Sequence, residues 1–123
     1  MRIATISKEA HQPIRHVNQM ASGGSYVAIF TLRLTPAYDI PDIQFSNEVS
    51  EPKVEPWIVA SIRKGIDEFA RARESKGNRV GCLRVALVDI SVHPIDSKES
   101  AFMYAAYMAM KQAFQNDEIL IEV

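Results

Sequence analysis

The sequence has a single cysteine, Cys82, among its 123 residues. One cysteine cannot form an intrachain disulfide or a cysteine-based zinc site, and such scarcity is typical of proteins from a reducing compartment. A chain of this length buries about two thirds of the surface that its unfolded form exposes, so it needs no covalent staple to hold a core. We therefore expect one compact domain over 1–123, in the cytoplasm.

Long apolar runs and an excess of charge are also missing. The longest apolar run, over 101–110, is much shorter than the ~20 residues that span a bilayer, and the N-terminal residues lack the apolar core of a secretory signal. The 14 lysines and arginines are balanced by 15 aspartates and glutamates. The sequence thus predicts no membrane partner and argues against strong non-specific binding to nucleic acid, while a local basic patch stays open.

Alternating apolar residues predict the strands. Apolar and polar residues alternate over 26–35, and a shorter strand is predicted near 43–49. Both faces of 80–93 are apolar, as in a central strand that is covered on both sides. Pro13 interrupts the pattern over 1–18, so this stretch predicts one irregular edge strand. Residues 119–123 predict a short last strand.

A spacing of three and four predicts two helices. Over 55–75 the apolar residues follow this spacing, with Pro56 in the first turn and Gly77 after the end. A second helix is predicted over 97–115, where Asp96 stands three residues before Glu99 as a helix-start signal. Gly65 lies in the middle of the first helix, where glycine costs up to about 1 kcal/mol relative to alanine. We therefore expect another element to pack closely against it.

The predicted element order is strand, strand, strand, helix, strand, helix. Each helix has an apolar stripe, and a two-layer arrangement buries both stripes against one sheet. The predicted fold class is α+β: a two-layer sandwich whose mixed sheet of about four strands carries two helices on one face. The residues predicted to lie in the core without a chemical role are Cys82, Met103, Met108 and Met110.

Several short motifs follow one another at fixed distances. In chain order they are Lys64-Gly65-Ile66, then Gly77, then Asp89-Ile90-Ser91-Val92-His93, and directly after it Pro94-Ile95-Asp96-Ser97-Lys98-Glu99-Ser100-Ala101-Phe102. The register resembles domain IV of translation elongation factor G, which has Lys-Gly-Ile, a later glycine, Asp-Gly-Ser-Tyr-His and Asp-Val-Asp-Ser-Ser-Glu-x-Ala-Phe. Gln19, Gly24 and Tyr26 also match a glycine-rich loop of that family. The resemblance covers almost the whole chain.

The resemblance implies a non-enzymatic module that contacts the ribosome or its RNA through two tip loops, over 19–25 and 93–97. We predict no cofactor and no metal. GTP hydrolysis belongs to a separate domain of such factors, and this chain has no G-x-x-x-x-G-K-[ST] phosphate loop, so we expect no GTP binding. The residues that the resemblance places in contact with the ribosome are Gln19, Ser22, Gly23, Gly24, His93, Pro94, Asp96 and Ser97.

Two other functions stay open. The family loop carries an arginine where this chain has Gly23, which allows a protein-interaction or self-associating module that kept the fold and lost ribosome binding. A third hypothesis is a small hydrolase that uses His93 with Asp96 and Ser97. Asp96 and Ser97 already have a structural role at the helix start. If His93 is not catalytic, it is either an RNA contact or an inert turn residue.

Cations collect at the end of the first helix, in a predicted basic patch of Arg71, Arg73, Lys76 and Arg79. Phosphate contact is one interpretation. The other is a solvated face, because cations near a helix C-terminus are favoured by the helix dipole. His11 and His16, five apart on a predicted strand, point to opposite faces and make a poor metal pair.

The side of the sheet without helices predicts self-association. If Tyr26, Phe30 and Leu32 face the helices, Val27 and Ile29 lie on the open face. An apolar patch larger than a few hundred Å² is uncommon on a monomer. We therefore expect a homodimer, formed through the open face or through an unpaired sheet edge.

Overall fold

The computed structural model describes residues 2–19, 25–49, 54–91 and 98–122. Within these residues the chain forms six strands and two helices. In chain order they are β1 (Arg2–Ile6), β2 (Ala10–Gln19), β3 (Ser25–Pro36), β4 (Ile43–Asn47), α1 (Pro56–Ser75), β5 (Leu83–Ser91), α2 (Glu99–Asp117) and β6 (Glu118–Glu122).

Four of the strands form one mixed sheet in the order β2-β3-β5-β4. β3 pairs antiparallel with both β2 and β5, whereas β4 pairs parallel with β5. A second, two-stranded sheet joins β1 and β6 antiparallel. The predicted α+β sandwich with a mixed sheet of about four strands is confirmed.

The N-terminal prediction needs a correction, because 1–18 is not one irregular edge strand. The exposed residues Ser7, Lys8 and Glu9 separate β1 from β2, and the two strands belong to different sheets. β1 is buried from its second residue onward, since it lies between β6 and the backbone near Val80. β2 is an edge strand as predicted, and it tolerates Pro13 for that reason.

One hydrophobic core lies between the four-stranded sheet and the helices, which both pack on the same face. Alternate residues of β3 enter it, and Phe30 and Phe102 bring their ring centroids to 6.3 Å across the two layers. The fully buried side chains of α1 and α2 complete this layer. The main contributors are Ala28, Phe30, Leu32, Leu34, Ile58, Ile62, Ile66, Phe69, Leu83, Val85, Leu87, Phe102, Ala105, Ala109, Met110 and Phe114.

The helices run parallel and touch at Gly65. A Cβ atom built on this glycine would lie 2.2 Å from the carbonyl oxygen of Met103 and 2.8 Å from the Cβ of Ala106. The predicted close approach is therefore confirmed, and the missing side chain is what permits it. α1 also ends as predicted, with Gly77 in the left-handed region at φ 84°.

The structure differs in detail from three predictions about the C-terminal half. α2 begins at Glu99, and the side chain of its N-cap residue, Lys98, makes no capping hydrogen bond; Asp96, predicted to start the helix, lies outside the described residues. Cys82 is buried as expected, yet it precedes β5 in a left-handed conformation at φ 50°. Of the three methionines assigned to the core, Met110 is fully buried, while Met103 and Met108 are partly exposed.

Candidate functional site

Several strand ends gather at one end of the sandwich. β2 ends at Gln19, which pairs with Ser25 at the start of β3. The end of β5 pairs with the same part of β3, through Ser91 and Ile29. Because β4 runs parallel to β5, its C-terminal residue Asn47 lies toward the same end. We call this region the tip end.

Both helices begin at the tip end. The first turns of α1 and α2 are in contact through Trp57 and Phe102, whose ring centroids are 5.9 Å apart. α2 is tied to the last part of β2 by Tyr104, whose ring lies 4.7 Å from that of His16. The N-termini of the two parallel helices, which carry the positive end of the helix dipole, therefore face the same way as the strand ends.

Of the eight predicted contact residues, Gln19 is the one that lies within the described residues, and it stands at the tip end. The other seven lie outside the described residues: Ser22, Gly23, Gly24, His93, Pro94, Asp96 and Ser97. The described residues that flank segments 20–24 and 92–97 do meet at this end of the molecule. The residues that flank segment 50–53 lie at the tip end as well. The sequence did not predict this placement, because it depends on the parallel pairing of β4 with β5.

Arg73, a member of the predicted basic patch, is held at the opposite end of α1. Its guanidinium donates to Glu118 at 2.7 Å and lies 5.7 Å and 5.6 Å from the ring centroids of Phe69 and Phe114. A guanidinium between two rings and a carboxylate is stabilised by cation–π attraction and by a charged hydrogen bond. Arg73 thus anchors the end of α1 to β6.

The other residues of the basic patch also lie at the end of the molecule opposite the tip end, and two of them form ion pairs with carboxylates. Arg71 pairs with Glu68 at 3.0 Å, and Arg79 pairs with Asp42 at 2.8 Å. Lys76 is the C-cap residue of α1. The positive charge of the patch is therefore offset locally, and phosphate contact by these residues stays a prediction.

The open face of the sheet mixes apolar residues with ion pairs. Val27 and Ile29 lie on it, half-buried, and Arg33 follows on the same alternation of β3. A hydrogen bond from Arg33 to Glu48 raises the pKa of the arginine. On β5, the Arg84 guanidinium donates to Asp39 at 3.0 Å and holds the pKa of that carboxyl below its usual value. These charges limit the continuous apolar area of this face.

The described residues contain no group of three or more His, Cys, Asp or Glu side chains that could hold a metal ion. His11 is exposed and His16 lies on the helix side of β2, so they point to opposite faces as predicted. The carbonyl of buried Cys82 accepts a hydrogen bond from Thr5 Oγ1 at 3.0 Å, which is a structural role. Neither described helix is long and apolar enough to cross a membrane.

Comparison with known proteins gives the same family along nearly the whole chain. The family model described as elongation factor G, domain IV, matches residues 3–117. Elongation factor G 1 of Syntrophomonas wolfei is 30% identical over 111 residues, which cover 90% of this chain and 16% of the relative. A crystal structure of a Thermus thermophilus protein superposes with a TM-score of 0.80 at 24% identity, covering 97% of this chain and 18% of that one.

The family model and the Syntrophomonas relative give the family that the motifs indicate, and the Thermus structure shares the observed fold. The chain spans less than a fifth of the length of the relatives that it matches. This is the proportion expected when one domain of a multidomain factor is matched, and the chain belongs to the elongation factor G domain IV family.

Proposed function

We propose that this domain is a translation-factor module that binds the ribosome through its tip end. The observation that carries the proposal is that Gln19 and the residues flanking both predicted tip loops come together at one end of the molecule. Membership of the domain IV family supports the same assignment. The contact residues remain those of the two loops: Gln19, Ser22, Gly23, Gly24, His93, Pro94, Asp96 and Ser97.

The partner surface in this proposal is ribosomal RNA, read mostly through shape and hydrogen bonds. The chain has a formal net charge of -1, and its basic patch carries nearby carboxylates at the far end. Proteins that rely on many phosphate contacts lose affinity steeply as salt rises. Binding through the tip end should therefore weaken only gradually with salt.

The proposed module is not itself an enzyme and does not bind GTP. It acts in the cytoplasm, and any motor that moves it would have to be supplied by another domain or protein. The hydrolase hypothesis is tested by the same variant that tests the tip loop: turnover that disappears in His93→Ala would favour it, while loss of ribosome binding alone would favour the proposal.

Co-sedimentation with purified ribosomal subunits over a salt series tests the proposal. The double variant Gln19→Ala with His93→Ala should raise the dissociation constant by at least about tenfold, since two polar contacts are removed. Arg71→Ala is the matched control, because it removes an exposed cation at the opposite end of α1. We expect it to leave binding unchanged.

Two results would contradict this function. One is a domain that stays in the supernatant at low salt, and the other is binding that depends on Arg71 and not on the tip residues. In the first case the remaining candidate is a protein-interaction or self-associating module. Val27 and Ile29 on the open face favour it only weakly, because Arg33 and Arg84 with their carboxylates lie on the same face.

A further inference from the structure

The C-terminal halves of α1 and α2 enclose a cavity of about 240 Å³ at the end of the molecule opposite the tip end. Each helix lines it with residues three or four positions apart, because such residues share one face of a helix. We call it the helix-end cavity. Its polar lining residues are Arg73 and Lys76 at the end of α1, followed by Tyr107, Lys111, Gln115 and Glu118.

Two buried rings form the floor of the helix-end cavity. Phe69 and Phe114 are 3% and 2% exposed, and their ring centroids are 5.2 Å apart. Tyr107 packs against Phe69 with ring centroids 5.7 Å apart, which fixes the tyrosine on the wall of the cavity. Because hydrocarbon walls have a low dielectric constant, charges beside them attract an ion more strongly than they would in open water.

The charged groups that line the helix-end cavity are mostly of one sign. Among the described lining residues, Arg73, Lys76 and Lys111 stand against the carboxylate of Glu118, which leaves two uncompensated positive charges. Glu118 accepts from Arg73 at 2.7 Å. Within the described ranges of the chain, no hydrogen bond or ion pair engages the ammonium group of Lys76 or Lys111. A cleft lined by one sign of charge concentrates the opposite ion.

The helix dipole accounts for only part of this arrangement. It stabilises cations within the last turn of a helix, and Arg73 and Lys76 lie at the end of α1. Lys111, however, lies more than one turn before Asp117, the last residue of α2, where the effect of the dipole has fallen off. Placing Lys111 in the same cavity as two cations of α1 therefore costs electrostatic energy, which a bound anion would offset.

The charge of the helix-end cavity fits a doubly charged phosphate group. Free phosphate or a phosphate monoester carries about −1.5 to −2 charges at neutral pH, and the cavity has two uncompensated positive charges. A carboxylate, or the diester phosphate of an RNA backbone, carries a single charge and would compensate half of this excess.

The donors fit the same group. Arg73 donates to Glu118 through one amino group of its guanidinium, which leaves further N–H donors for an anion. Lys76 and Lys111 add two ammonium groups, and ammonium and guanidinium groups are the side chains that bind phosphate in proteins. We propose that the helix-end cavity binds the phosphate group of free phosphate or of a phosphate monoester through Arg73, Lys76 and Lys111.

This site divides the predicted basic patch. Arg73 and Lys76 line the helix-end cavity, whereas Arg71 and Arg79 are outside its lining. Lys111 joins the first two from the other helix. The proposal does not rest on ribosome binding, because the cavity and the tip end lie at opposite ends of α1.

Titration of the isotope-labelled chain, followed by two-dimensional amide NMR at about pH 7.5, tests the site. The probes are inorganic phosphate and uridine monophosphate, with sodium chloride adjusted to keep the ionic strength constant. We expect saturable shift changes confined to 69–76 and 107–118, with dissociation constants in the millimolar range. The probe that binds more tightly identifies the source of the phosphate group. Dimethyl phosphate carries one charge and should bind at least about fivefold more weakly.

Substitutions that each remove one positive charge locate the site. Lys111→Gln and Lys76→Gln should each raise the dissociation constant of phosphate at least about fivefold, since each removes a charged donor from the cavity. Arg71→Gln is the matched control, because this side chain is 71% exposed and lies outside the cavity. It should change the dissociation constant by less than about twofold. Arg73 is left intact, since it also anchors α1 to β6.

Three results would overturn the proposal. One is the absence of saturable shift changes up to about 50 mM phosphate. Another is equal weakening by Arg71→Gln and Lys111→Gln, which would show that net charge alone attracts the anion. The third is dimethyl phosphate that binds as tightly as inorganic phosphate. The amide spectrum of each free variant establishes that the fold is retained.

Discussion

α1 and α2 occupy the same layer, run parallel and differ by one residue in length, yet their outer faces are opposites. α1 carries exposed ion pairs such as Arg63 with Asp67 and Arg71 with Glu68. α2 carries methionines and tyrosines at its solvent-facing positions. Burial against the sheet therefore determines only the inner stripe of each helix, and the outer stripes of two neighbouring helices can differ completely.

The largest expected effect separates the inner and outer stripes of α2. Phe102 is fully buried against Phe30 and Trp57, while Tyr104 is mostly exposed. Phe102→Ala should lower the free energy of unfolding by about 3–5 kcal/mol, and Tyr104→Ala should lower it by less than about 1 kcal/mol. Urea unfolding followed by circular dichroism measures both, and equal losses would show that α2 has no outer stripe.

The contact between the two helices should be the next most sensitive feature. Gly65→Ala would place a methyl group against the Met103 carbonyl, so the helices must move apart. We expect a loss of about 2 kcal/mol from overpacking, measured by thermal or urea unfolding. Ala60→Gly at an exposed position of α1 is the control for helix propensity alone and should cost about 1 kcal/mol. A more stable Gly65→Ala protein would contradict the close approach.

Two arginines of α1 should differ, although both form ion pairs. Arg73 has a 21% exposed side chain between Phe69, Phe114 and Glu118, so Arg73→Ala should destabilise the protein by about 1 kcal/mol or more. Arg71 is 71% exposed, and Arg71→Ala should cost no more than about 0.5 kcal/mol. Guanidinium chloride would screen these pairs, so urea is the denaturant to use. Equal losses would mean that the contacts of Arg73 with the rings of Phe69 and Phe114 add no stability.

The smallest effect concerns the charged surface of the sheet and depends on pH. Arg84 lowers the pKa of Asp39 in the folded protein, so the carboxylate stabilises the fold above its unfolded pKa of about 3.9. This contribution is lost as the pH falls through the lower, folded pKa. Asp39→Asn and Arg84→Gln should each make the stability profile slightly less steep below pH ~4. A profile that neither variant changes would show that the pair is fully screened.

The sequence predicted α1 well because its two stripes differ in polarity and because Pro56 and Gly77 mark its ends. The class of the fold and the close contact at Gly65 were likewise predictable, since both follow from period and from the cost of a glycine inside a helix. The start of α2 and the partial exposure of Met103 were not predictable from the sequence. A helix with so few polar residues gives little periodic contrast from which to assign its buried face.

Long-range pairing explains the other differences. The split of 1–18 into two sheets depends on β6, which lies at the opposite end of the sequence, and no local pattern specifies such a partner. The candidate site was predictable only in part for a similar reason. Gln19 was placed at the tip end from family resemblance, whereas the arrival of the β4 end there depends on parallel pairing with β5.

The pairing of β1 with β6 joins two strands from opposite ends of the sequence, at the end of the molecule opposite the tip end. Arg2 pairs with Glu122 across almost the whole chain, and closing a loop of this size carries a large entropic cost before any contact repays it. β6 follows α2 without a break, so the position of the second helix sets the position of the strand that pairs with β1. We therefore expect the sheet and the helices to form first and the pairing of the two chain-distant strands to complete the core.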